Sequence, residues 1–408
     1  NKYILHGLSN QVGNMSKYYV LLGTVAIVLL AVASMPVHAQ PPPGGVGTGP
    51  PPVGALGVPV PFTASPYSDE FVLTGTEGAG AHFYHPSNKD GTFGTKTAIP
   101  GPLSVDGLAI ADFDSDGELD FVLCQGETGN VFLYTNNGAG TFTPTQIASG
   151  VTSIFCSQYR VEDFNRDGRL DFVGGDFWGP KWWFRNDGGG SFTKFALDTS
   201  WLPAGAALYA LDAGDFNNDG NADIMIASNY EQAASGKAHL YLGNGAGGFT
   251  HSQVIDLYAD VGAADPIGLA AGDFNGDGNL DVVFGGDGTS VAGADLGAFW
   301  LYRGNGLGGF SLVAKVFNCA GPGMPQVGVD AFDIDHDERM DVVCYNWGGG
   351  QFLFVKGNGD GTFQTPVVIA AGLAEGVGIA APFAPRLAIP VGGTVSLPSP
   401  AATLLALA

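Results

Sequence analysis

Five nine-residue segments recur along the chain and align without gaps: DFDSDGELD (112–120), DFNRDGRLD (163–171), DFNNDGNAD (215–223), DFNGDGNLD (273–281) and DIDHDERMD (333–341). Their starts lie 51, 52, 58 and 60 residues apart. A period of that length implies units that cannot bury an apolar face alone and must stack on their neighbours. A second signature keeps step with the first: NKDGTF (88–93), NNGAGTF (136–142), NDGGGSF (186–192), GNGAGGF (243–249), GNGLGGF (304–310) and GNGDGTF (357–363). These are glycine-rich turns, each closed by Phe.

Between the two signatures every unit carries two short apolar runs, such as DFVLC (120–124) then VFLY (131–134), or DVVFGG (281–286) then AFWLY (298–302). Each unit opens on a run such as GLAIADF (107–113) and closes on one such as FTPTQIA (142–148). Runs of this length, rich in β-branched and aromatic residues and bounded by turn residues, predict strands. Four strands per unit of about 50 residues predict an all-β fold, a β-propeller with four antiparallel strands per blade. The composition agrees: 45% hydrophobic residues supply a large core, while 65 Gly and 25 Pro supply loops.

The two ends set the blade count. Residues 70–93 match the second to fourth strands of a blade but lack a first strand and an acidic loop. EGVGIAAPF (375–383) matches the opening run, with Pro382 where the Asp would stand. A composite blade from both termini would close the ring and remove the exposed edges of an open array. That gives six blades, with seven as the alternative if the tail contributes differently.

The acidic loops in register with the Gly-rich turns resemble those of the FG-GAP and VCBS repeat proteins, whose propellers include the head of the integrin alpha subunit. The resemblance spans about residues 70–383 and implies that the loop between the first and second strands binds calcium. Members of the family include adhesins, lectins and domains appended to enzymes, so the resemblance alone does not fix a function.

The loops carry the same chemistry when read residue by residue. Oxygen ligands at positions 1, 3, 5 and 9, a backbone carbonyl near 7 and a Gly at 6 suit a hard cation with flexible coordination, and calcium fits best. The first loop offers Asp112, Asp114, Asp116 and Asp120, and the second Asp163, Asn165, Asp167 and Asp171. The third offers Asp215, Asn217, Asp219 and Asp223, and the fourth Asp273, Asn275, Asp277 and Asp281. The fifth, Asp333, Asp335, Asp337 and Asp341, has Glu338 in place of the Gly, which predicts the weakest or an empty site. Capped turns without metal are the alternative reading of such residues. Carboxylates packed this closely repel one another without a cation, so four to five structural calcium ions are expected. With millimolar calcium and a dissociation constant of about 0.1 mM, each site adds roughly 1.4 kcal/mol of stability.

Sixteen Lys and Arg stand against 39 Asp and Glu, a net charge of −23, which argues against nucleic acid or an anionic membrane surface as a partner. The four cysteines show no metal-ligand spacing. Their placement predicts disulfides Cys124–Cys156 and Cys319–Cys344, although four cysteines allow three connectivities and buried thiols are the alternative. Lys17 precedes an apolar run (18–35) that ends in Val37-His38-Ala39, a small-x-small pattern for export cleavage, with residues 1–14 upstream of Met15. A retained membrane anchor is the alternative. The chain thus divides into upstream residues and an export signal (1–39), a Pro/Gly-rich linker (40–66), the propeller (67–383) and an apolar tail (384–408). The tail reads as a sorting or anchoring segment, or as a strand available to a neighbouring subunit. The bulk of the protein is expected to be secreted or at the cell surface, where disulfides persist.

The face opposite the acidic loops collects Trp178, Trp201, Tyr230, Tyr258 and Trp347. Exposed aromatics beside Asp, Asn and Gln suit the apolar faces and hydroxyls of sugars, whereas packing between blades is the plain alternative. Trp182, Trp183 and Trp300 fall in strands and are expected to pack. His82 and His85, three apart on a strand, point to opposite faces and do not form one metal site. No GxSxG, HExxH or phosphate-binding loop is present, so an enzyme is not expected. The resulting expectation is a calcium-stabilised adhesion or glycan-binding module whose partner is a glycan or a cell-surface protein. A self-associating structural subunit linked through its termini is the alternative. A polysaccharide-degrading enzyme using Asp176, Asp287 or Asp295 is a further one.

Overall fold

The computed structural model describes residues 26–29, 71–76, 82–86 and 97–99, and then 107–371 apart from 126–127, 139–140, 152–158, 176–179, 201–205, 231–235, 262–264, 288–297, 319–326, 334–336 and 347–350. These residues form six four-stranded sheets in which each strand pairs with the next in the chain. Sheet one comprises β1 (Ala26–Leu29), β2 (Phe71–Thr76), β3 (His82–Pro86) and β4 (Thr97–Ile99). Sheet two comprises β5 (Gly107–Ala111), β6 (Asp120–Gln125), β7 (Asn130–Asn136) and β8 (Phe142–Ala148). Sheet three comprises β9 (Arg160–Glu162), β10 (Asp171–Gly175), β11 (Lys181–Gly188) and β12 (Ser191–Ala196). Sheet four comprises β13 (Ala206–Gly214), β14 (Asp223–Tyr230), β15 (Lys237–Gly243) and β16 (Phe249–Ile255), followed by a short helix α1 (Leu257–Val261). Sheet five comprises β17 (Asp265–Gly272), β18 (Asp281–Asp287), β19 (Ala298–Gly304) and β20 (Phe310–Asn318). Sheet six comprises β21 (Val327–Phe332), β22 (Asp341–Asn346), β23 (Gln351–Val355) and β24 (Val367–Ala371).

Burial follows strand position. The second strands β6 and β10 are buried along almost their whole length, because their apolar residues are covered on both faces. The fourth strands are the exposed ones, and in β16 burial alternates because one face meets solvent. Sheets two to six pack in chain order. Val122, Cys124 and Leu133 of sheet two meet Tyr159, Phe172 and Phe184 of sheet three, and Val173 and Trp183 meet Leu211, Ile224 and Tyr241 of sheet four. Met225 and Leu240 then meet Val282 and Trp300 of sheet five, and Val283 and Leu301 meet Val342 and Leu353 of sheet six.

The two sequence signatures meet across each of these interfaces. The Phe at loop position 2 packs against the Phe closing the next sheet's turn: Phe113 on Phe192 at 5.8 Å, Phe164 on Phe249 at 5.5 Å, Phe216 on Phe310 at 5.8 Å and Phe274 on Phe363 at 5.5 Å between ring centroids. The offset, largely edge-on geometry is the favourable one for aromatic rings. The carbonyl of the same loop Phe also accepts a hydrogen bond from that turn. Gly247 N–H donates to Phe164 O at 3.2 Å, Gly308 to Phe216 at 3.1 Å and Gly361 to Phe274 at 2.8 Å. Asn186 Nδ2 fills this place on Phe113 O at 2.7 Å. Acidic loops and glycine turns therefore share one end of the sheets.

Two findings differ from the sequence expectations. The outer neighbour of β2 is β1, with Ala26 opposite Thr76 and Leu29 opposite Leu73, rather than a strand from 375–383, which lies outside the described residues. The apolar, partly β-branched AIVL segment suits a strand that covers such an edge. Cys344 is a buried thiol rather than half of a disulfide with Cys319, which is outside the described residues. It stands opposite Val329 and Leu353 in an apolar cluster, where a cysteine packs as a small hydrophobe. Cys124 is disulfide-bonded, and its expected partner Cys156 lies outside the described residues.

Candidate functional site

The acidic loops fold by a common set of short-range hydrogen bonds. In loop one, Asp112 accepts the N–H groups of Asp116 and Gly117, both at 3.1 Å, and Asp116 accepts that of Glu118 at 2.8 Å. Asp163 accepts from Asp167 at 3.1 Å and Gly168 at 2.8 Å, Asp215 from Asp219 at 3.1 Å and Gly220 at 2.7 Å, and Asp273 from Asp277 at 3.2 Å and Gly278 at 2.9 Å. The first Asp thus organises the turn. Position 6 is left-handed, with φ of 95° at Gly117, 83° at Gly168 and Gly220 and 85° at Gly278, and Glu338 holds φ 67° in the fifth loop. Position 4 is left-handed as well, at Ser115, Arg166, Asn218 and Gly276.

The ninth residue of each loop has a role that its spacing does not reveal. Asp120 accepts the N–H of Phe113 at 3.0 Å and of Asn136 at 2.8 Å, and Asp223 accepts from Phe216 at 2.9 Å and Gly243 at 2.8 Å. Asp171 accepts from Asn186 N at 2.7 Å and from the indole of Trp183 at 3.2 Å. Asp281 accepts from Gly304 at 3.0 Å, and Asp341 from Gly357 at 2.8 Å. These buried carboxylates tie the loop to the end of the third strand. Burial pushes Asp120, Asp171, Asp223 and Asp281 up to about 7, against amide hydrogen bonds that favour the charged form.

Loop one fits a cation best. Asp112, Asp114 and Asp116 bring carboxylate oxygens within 4.8 Å of one another. Burial pushes Asp112 and Asp114 upward, and the neighbouring Asp116 charge adds to it. A hard divalent ion would relieve both penalties. In loops two and three the Asn amide occupies the corresponding space, with Asn165 Nδ2 on Asp167 at 2.9 Å and Asn217 Nδ2 on Asp219 at 3.0 Å. Arg169 also pairs with Asp167. In loop four Asn275 Nδ2 donates to Asp281 at 2.8 Å. In loop five, Asp333 and Asp337 are described and Asp335 is not, and Asp337 faces two cationic side chains. Successive loops also touch: Arg166 Nη1 donates to Asn221 at 3.2 Å, and Asn218 Nδ2 to Asn279 at 2.7 Å.

Beside loop one lies a cavity of about 440 Å³ lined by Asp114, Asp116, Leu133, Thr135, Thr145, Gly189 and Gly190. Of the aromatic candidates on the opposite face, Trp178, Trp201 and Trp347 lie outside the described residues. Tyr230 ends β14, and Tyr258 is half-buried on α1 with its N–H on Gly236 O at 3.0 Å. Trp183 and Trp300 are buried in strands as expected, while half-buried Trp182 lies under Lys194, whose Nζ is 4.0 Å from the ring centroid. Asp287 ends β18, whereas Asp176 and Asp295 are outside the described residues. Among the described residues no helix is long and apolar enough to cross a membrane.

Comparison with known proteins places this architecture. An Agrocybe aegerita lectin described as recognising non-reducing terminal N-acetylglucosamine is similar over 76% of this chain and 79% of its own, with a TM-score of 0.53 and 20% identity. A protein from Lactobacillus plantarum is similar over 75% of this chain and 82% of its own, with a TM-score of 0.53 and 13% identity. The fold is an all-β propeller of four-stranded antiparallel sheets. The FG-GAP-like repeat matches residues 112–174, 163–226 and 227–284, so this part of the propeller is built of FG-GAP-like repeats. Cartilage acidic protein 1 of Xenopus tropicalis is 28% identical over 187 residues, and that of Homo sapiens 27% over 187 residues, each match covering 43% of this chain. The matched region spans 28% and 27% of the length of those relatives.

Proposed function

We propose that the protein is a secreted or cell-surface, calcium-binding propeller of six blades that acts by binding glycans rather than by catalysis. The observation that carries this reading is the gathering of Asp112, Asp114 and Asp116 on the turn face, their carboxylate oxygens within 4.8 Å of one another. Calcium would be held there by these carboxylates and, with Asn at position 3, by Asp163, Asn165 and Asp167, by Asp215, Asn217 and Asp219, and by Asp273, Asn275 and Asp277. The ion would supply the positive charge that rigidifies each loop. The disulfide at Cys124 supports an oxidising location. The fold shared with a lectin supports a glycan as ligand, and the recess beside loop one has the volume of a small-ligand site.

The test is a glycan array probed with the full chain in millimolar calcium and again in excess chelator. Binding to a defined sugar class that disappears in chelator is the expected result. Its loss in Trp178→Ala and Trp347→Ala would place the site on the aromatic face, and its loss in Thr135→Ala and Thr145→Ala would place it in the recess. A folded sample that binds no glycan would overturn the reading.

A further inference from the structure

We infer that Lys356 is the built-in cation of the fifth loop, an ammonium group held where the other loops take a divalent ion. Lys356 Nζ lies 2.8 Å from Asp337 Oδ2, and Arg339 Nη1 lies 3.7 Å from the same oxygen. Asp337 is the position-5 residue, the counterpart of Asp116 in loop one. Asp333 nevertheless accepts the N–H of Asp337 at 3.0 Å and of Glu338 at 2.8 Å, the same pair of bonds that the first Asp makes in the other loops. It does so with a side chain at the left-handed position where the other four loops carry Gly.

Lys356 is delivered to the loop by the fold. It directly precedes Gly357, whose N–H is fixed by the buried Asp341 at 2.8 Å, so the end of the third strand is anchored beside the loop. The aligned residues elsewhere are Thr135, Arg185, Leu242 and Arg303. Thr135 and Leu242 carry no charge, and Arg185 turns instead to Asp187 of its own turn at 2.7 Å. The Lys356 and Asp337 side chains are 25% and 26% exposed, partly shielded from water. A divalent ion entering beside this ammonium would meet like-charge repulsion in a partly desolvated site. The second loop differs, because Arg169 reaches Asp167 from within the loop and is also held by Asn186 O at 2.8 Å.

The contrast with the other loops rests on the calcium reading above, whereas the clasp does not. The test uses the full chain with Lys356→Met, Lys356→Arg and Asp337→Asn, each measured by calcium equilibrium dialysis and by melting in chelator and in millimolar calcium. Wild type and Asp337→Asn should bind the same number of ions. Lys356→Met should melt a few degrees lower in chelator, bind one ion more than wild type and recover its loss in calcium, and Lys356→Arg should match wild type. Loss of one ion in Asp337→Asn, an unchanged melt of Lys356→Met in chelator, or no added ion in that variant would each overturn the inference. If Lys356→Met does not fold, Asp337→Asn still decides, by an equal fall in melting temperature in chelator and in calcium. A wild type that binds no calcium would sink the calcium reading alone, leaving the clasp to the chelator melts.

Discussion

The carboxylate of Asp223 accepts the backbone N–H of Gly243 at 2.8 Å across twenty residues of chain, and the second oxygen takes Phe216 N–H at 2.9 Å. A residue at a ligand spacing is thus also a brace between loop and strand. Asp223→Ala strands two buried amides, and should cost about 2–5 kcal/mol even in chelator. Asp219→Ala removes a loop carboxylate whose loss should matter mainly when calcium is present. Urea denaturation of both variants, with and without calcium, separates the two roles.

Calcium removal should lower the melting temperature. Four occupied sites at about 1.4 kcal/mol each give about 6 kcal/mol, or on the order of 10–20 °C for a domain of this size. Calorimetry in millimolar calcium and in excess chelator checks this, and superimposable scans would refute structural calcium.

Gly247 holds φ 76°, and a Cβ there would come within 1.9 Å of the Trp183 ring from the preceding sheet. Gly247→Ala should therefore cost about 2–4 kcal/mol from overpacking and left-handed strain together. Gly278 has φ 85° with nothing within 4 Å of the same added atom, so Gly278→Ala should cost only about 1 kcal/mol. Equal costs by chemical denaturation would show that the interface at Gly247 yields.

His239 is buried in β15, with Nε2 2.8 Å from Ser228 Oγ and its ring 5.5 Å from that of His251. Burial holds it down to about 3, whereas the imidazole of an unfolded chain titrates near 6.5. Between those values only the unfolded chain takes up this proton, so stability falls as pH falls. At pH 5 the loss is about 2 kcal/mol relative to pH 7. His239→Gln should flatten that part of the stability profile, and an unchanged slope in denaturant titrations from pH 7 to 5 would count against it.

The four-stranded units were legible because loop and turn recur in register, and a period is visible without knowing what touches what. The left-handed Gly at position 6 was legible for the same reason, since a turn there favours Gly. Ser115 and Arg166 at position 4 give no such cue, because neither residue type signals positive φ. The brace from Asp120 to Asn136 joins residues sixteen apart, and the contact of Lys356 with Asp337 depends on which way a strand-end side chain turns. Cys344 shows the converse limit: proximity along the chain suggested a bridge, and its apolar surroundings made it a packing residue. The pairing of β1 with β2 was equally hidden, because an apolar run flanked by an export-like pattern carries no mark of its strand partner.

The hydrogen bond from Gly308 to Phe216, with the Phe216–Phe310 ring contact beside it, makes each joint out of two different parts on two different units. Units two to five each carry the socket for the unit after, and units three to six the plug for the unit before. Excision of one whole unit therefore leaves a matching plug and socket facing each other, whereas a cut within a unit leaves one of each without a mate. Such a chain can lengthen or shorten by complete cassettes with its joints intact, and it tolerates no fractional step.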